Sequence, residues 1–134
     1  MKRLILCALL LCSGTLMAQT PWKWKKTCEK EETTLHIDLH EETVNVPSME
    51  MLGPMNGYLG GRGVYGVWMV TSFKIKNDRE ATLRISNDLG SETQQVRLTL
   101  LPDSTCKMEL TGGVVVKRAV NRKLVKVPSV FILK

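Results

Sequence analysis

The sequence predicts an all-β protein: one small antiparallel β-sandwich of the immunoglobulin-like kind, or a small barrel, of seven to nine strands. Three observations carry that prediction. Apolar residues recur at every second position through most of the chain from 35 to 110. Clusters of Asn, Asp, Gly, Pro and Ser interrupt the alternation about every ten residues. No stretch of about eleven residues keeps a helical period.

The elements follow in chain order. Lys2 and Arg3 precede an apolar run from Leu4 to Leu11, then small residues ending at Ala18. Residues 1–18 therefore read as a signal peptide cleaved near Ala18. A membrane helix needs about 20 apolar residues, so this run is too short to be one, and no transmembrane segment is expected after cleavage. Leu11 stands before Cys12 where lipoprotein processing wants a small residue, so simple export to a secreted or periplasmic location is expected. Removing the leader leaves 116 of the 134 residues, the size of one domain, and lowers the formal net charge from +6 to +4. Hydrophobic residues at 43% and charged residues at 24% exclude disorder as the main state.

Residues 19–32 lack a clear period and are expected to be a lead-in tail, with Trp22 and Trp24 clasping the body of the domain from one side. The domain proper is expected over 33–134. Leu35, Ile37 and Leu39 alternate with His36, Asp38 and His40, and Val44 and Val46 follow after a break. Val67, Met69, Phe73 and Ile75 form the next apolar row, with Thr71 as its one polar member. Ala81, Leu83 and Ile85 make a third row, Val96, Leu98 and Leu100 a fourth, and Cys106, Met108 and Leu110 a fifth. Half-buried antiparallel strands have this pattern. Val114 to Lys134 is rich in Val and Lys and divided by Pro128, which predicts two or three short strands, one at an edge.

Cys28 and Cys106 remain after export, in a compartment that permits disulfides. A bridge between them would close a 78-residue loop, worth about 4.5 kcal/mol in the chain-entropy account. The expectation is one structural disulfide, with free buried thiols as the alternative.

His36, Asp38 and His40 would share one strand face and are candidate zinc or copper ligands, against the plainer reading of a solvated outer face. Met49, Met51 and Met55 could offer soft thioethers to Cu(I), or simply fill apolar surface. The stretch from Gly53 to Gly63 carries five glycines and reads as a long mobile loop. It displays Met55, Tyr58, Leu59 and Arg62, which make it the expected binding surface, with Tyr58 and Arg62 as anchors.

Two letter matches fail on context. Gly61 to Gly66 spells a dinucleotide fingerprint but precedes a strand rather than opening a helix. Ser104 and Lys107 have serine–lysine acylation spacing, yet residues three apart on a strand face opposite ways. Gly66-Val67-Trp68 resembles the G-x-W that marks the first barrel strand of lipocalins. That resemblance implies a barrel holding an apolar small molecule in its mouth.

Charge is unevenly placed. Residues 28–50 hold seven acids against Lys30, whereas after Glu109 there is no acid and Lys117, Arg118, Arg122, Lys123, Lys126 and Lys134 follow. The ends are expected to neighbour one another in the sheet with complementary cross-strand pairs. The alternative is a basic patch for an acidic polymer; without interleaved aromatics, nucleic acid is not the expected partner. No hydrolytic constellation surrounds either histidine. The sequence thus points to a non-catalytic binding or structural protein without a cofactor, its partner a protein or polysaccharide. The alternatives are a lipocalin-like carrier or a periplasmic metal-binding protein using His36, Asp38 and His40.

Overall fold

A computed structural model describes residues 21–88, 90, 92–114 and 116–134. The expected signal peptide and Cys12 lie outside the described residues. The strands are β1 (Lys23–Cys28), β2 (Thr33–Asp38), β3 (Gly57–Gly60), β4 (Trp68–Ile75), β5 (Glu80–Asn87), β6 (Thr93–Leu100), β7 (Cys106–Gly113), β8 (Lys117–Val120), β9 (Lys123–Lys126) and β10 (Val130–Leu133). One 3-10 turn spans Glu50–Leu52.

Eight strands form one antiparallel meander in the order β1-β2-β3-β4-β5-β6-β7-β10. The sheet curls until its ends meet. Thr27 N–H donates to Lys134 O at 3.0 Å, and Lys134 N–H donates to Thr27 O at 2.9 Å. That reciprocal pair makes the sheet a nearly closed barrel rather than a sandwich. Beside it, Lys26 Nζ donates to Ser104 O at 2.7 Å across the gap between β1 and the β6–β7 turn.

Outside β4, the alternation read from the sequence is the inner face of this barrel. Leu35 faces Leu59, Val70 faces Ile85, Leu83 faces Val96, Leu98 faces Met108, and Met108 faces Phe131. These residues and Trp22 share one buried cluster. A water-sized hollow beside any of them would leave it accessible surface, yet Ile37, Ala81, Ile85, Leu98, Met108 and Leu133 are at 0% exposure. The barrel is filled with side chains, as eight strands allow.

Several expectations are corrected. The lead-in tail contains β1, which pairs with all of β2, from Lys23 opposite Asp38 to Cys28 opposite Thr33. Its lysines obscured an inward row in which Trp24 and Cys28 pack against the core. Val44 and Val46 form no strand; Val44 makes a single bridge to Met55. In β4 the inward residues are Trp68 and Val70, because a bulge between Val70 and Ser72 shifts the register there. The G-x-W tryptophan opens the fourth strand, not the first.

Cys28 and Cys106 are free thiols. The Thr27–Lys134 pair places Cys28 beside Leu133, and Leu133 lies opposite Cys106. Thus β10 runs between the two cysteines. Two strand spacings put their Cα atoms roughly 9.5 Å apart, beyond the reach of a disulfide.

The mobile loop is also corrected. Gly57, Tyr58, Leu59 and Gly60 form β3, between β2 and β4. Three of the stretch's five glycines, Gly57, Gly61 and Gly63, are there for close approach. A Cβ on Gly63 would overlap the carbonyl oxygen of Glu31, and one on Gly57 that of His36.

Candidate functional site

The residues proposed as a metal set are separated by their own backbone. Asp38 is buried behind the turn that follows β2. Its Oδ1 accepts the N–H groups of His40 and Glu41, at 3.1 and 3.0 Å, and its Oδ2 accepts the Thr43 hydroxyl. Lys23 Nζ lies 3.8 Å away. The carboxylate is therefore committed to holding the turn. His36 packs its ring edge-on to Tyr58, with centroids 5.8 Å apart. Partial burial, then the Lys25 ammonium, lower its pKa against the raising pull of Asp38. His40 is exposed beyond the strand end. Among the described residues, no group of three His, Cys, Asp or Glu is arranged to hold a metal ion.

The expected binding loop is likewise divided. Leu59 is in the core, Tyr58 is half-buried against His36, and Met55 is held in its bridge to Val44. Met51 is 86% exposed, apart from that bridge. Arg62 remains exposed, in the β3–β4 connection.

A different element gathers the basic residues of the C-terminal region. The excursion between β7 and β10 folds into a hairpin whose strands pair only with each other: Lys117 opposite Lys126, Arg118 opposite Val125, Ala119 opposite Leu124 and Val120 opposite Lys123. Five of the ten residues from Lys117 to Lys126 are basic and none is acidic. Val116 and Val127 anchor its base; both belong to the core, and Val127 N–H donates to Val116 O at 3.2 Å. Beyond them the hairpin pairs with no barrel strand, and β8 flanks a cleft against the barrel. Val120, Leu124 and Val125 are exposed, Leu124 at 53%.

One contact ties the hairpin to the acidic N-terminal region. Arg118 Nη1 donates to Glu31 Oε2 at 2.9 Å. The other hairpin cations make no such bridge among the described residues. The expected cross-strand neutralisation of the two ends is therefore reduced to this pair, because the basic residues fold onto one another. Between the hairpin and the barrel lies a cleft of ≈ 250 Å³, lined in part by Lys30, Glu31, Arg62 and Arg118. Tyr65, 61% exposed, donates its N–H to Lys117 O at 2.6 Å beside the hairpin base. A second cleft of ≈ 420 Å³ opens where β1 and β10 part, with Cys28, Lys30 and Ile132 in its walls.

No family model, curated protein or solved structure matches this chain.

Proposed function

We propose that this is an exported, non-catalytic binding protein that meets a negatively charged partner on its outer surface, at the end bearing the β8–β9 hairpin. The observation that carries this reading is the filled barrel. A carrier of the lipocalin kind needs a hollow of several hundred cubic ångströms lined by apolar side chains; here those side chains fill the space themselves. The basic hairpin is the surface feature that the fold does not use for its core, since neither β8 nor β9 contributes a buried residue. The export part of the reading rests on the leader-like residues 1–18.

Replacing residues 117–126 by a short turn between Val116 and Val127 tests it. The variant should melt within a few degrees of the parent, because the buried cluster is intact. It should also lose the partner that the parent retains from an envelope fraction and releases at raised salt. Undiminished capture of the same partner by the variant overturns the reading.

A further inference from the structure

We propose that the β8–β9 hairpin docks the protein onto a surface of anionic lipid headgroups, its cations meeting phosphates and Leu124, on the ribbon face turned away from the Arg118–Glu31 contact, entering the headgroup layer. The inference rests on the outer-surface reading above and names the ligand class.

Two local rules are broken in this hairpin, and both breaks place positive charge. Asn121 and Arg122 have φ of 50° and 67°, the left-handed pair that a two-residue type I′ turn requires. Glycine is the low-strain residue at the second of these positions, yet an arginine occupies it at the tip. Lys117 stands directly opposite Lys126, a like-charge pair that weakens a ribbon of only four paired positions. Strain and repulsion of this sort persist where a site uses the residues concerned.

The apolar groups decide the ligand class. An acidic polysaccharide would also meet these lysines and arginines, but it would leave the exposed Leu124 without an apolar partner. Lys117, Lys126 and the exposed Leu124 share one ribbon face, and cations around an exposed aliphatic side chain match the layered polarity of a lipid surface. Docking at headgroup level leaves the ribbon's outer backbone groups hydrated, so a two-stranded element suffices without spanning the membrane.

The test is flotation of the exported protein with phosphatidylcholine vesicles, with and without phosphatidylglycerol, beside retention on heparin as an acidic polysaccharide. The protein should float only with phosphatidylglycerol. The combined variant Lys117→Gln, Arg122→Gln, Lys123→Gln, Lys126→Gln should bind roughly a thousandfold more weakly. Leu124→Ser should lose several-fold through the apolar term alone. Arg122→Gly separates function from folding: its melting midpoint should hold or rise as turn strain is relieved, while vesicle binding falls. Flotation insensitive to the four-charge variant overturns the proposal, as does absence of flotation. Heparin retention through the hairpin without flotation also overturns it, and leaves the outer-surface reading standing.

Discussion

Asp38 accepts three hydrogen bonds in the turn after β2. Burial pushes its pKa up, but the Thr43 hydroxyl, the Glu41 and His40 N–H groups and Lys23 pull further down, and the balance falls below the usual carboxylate value. A carboxyl group depressed on folding stabilises above its unfolded pKa and loses that contribution as pH falls through the folded value. Denaturant midpoints of the parent should therefore fall on acidification below about pH 4. Asp38→Asn should cost about 2 kcal/mol at neutral pH and flatten that acidic decline. Cys106 is governed by burial, which pushes its thiol up to about 12, while the Thr99 backbone and Lys26 pull it back only in part. Iodoacetamide at neutral pH should thus modify Cys28 in the folded protein and reach Cys106 only after unfolding, as intact mass would report; a protein without free thiols would contradict this. Gly63→Ala should destabilise by roughly 2 kcal/mol or more, read as a lowered denaturant midpoint, because backbone rather than a yielding side chain stands in the way. At this scale the sequence exposed residue types but not their engagements. His36 and Asp38 share a strand face as alternation requires, yet Asp38 turns out to be a local backbone acceptor, something a period-two pattern does not encode.

Among the elements, β3 shows how composition misleads. Five glycines in eleven residues read as a mobile loop, and close backbone approach demands glycine just as strongly. Only Tyr58 and Leu59 carried the strand signal, too few for a period. Shortening 53–63 to a tight turn should abolish cooperative unfolding in circular dichroism, since it removes an internal stave and buried Leu59; the hairpin truncation should not. Four of the five alternating rows transferred directly into β2 and β5–β7, because half-burial of antiparallel strands imposes period two; the β4 row is out of phase ahead of the bulge, where Trp68 and Val70 face inward. β1 escaped because Lys26 occupies an inward position opposite Leu35, where its amine reaches Ser104 at the seam. The hairpin's basic composition was legible, but its self-pairing was not: the charge pattern is the same whether the lysines face acids or each other.

The whole molecule depends on a closure that alternation cannot distinguish from a sandwich. Both architectures put every second residue inside; the difference lies in whether β10 reaches β1. That contact rests on the Thr27–Lys134 pair, with Phe131 and Leu133 carried into the core by the same short strand. Deleting residues 130–134 should destabilise by about 4 kcal/mol or more, measured by urea unfolding. Closure and filling together push any binding outward. The most direct test is an amide NMR titration with micelles of a short-chain anionic phospholipid, which offers both an acyl tail for a hollow barrel and a phosphate for the hairpin. Shifts confined to Arg62, Tyr65 and 117–126 are the predicted result. Saturable shifts along the inner rows, at Leu83, Leu98 and Met108, with a quiet hairpin would contradict the account.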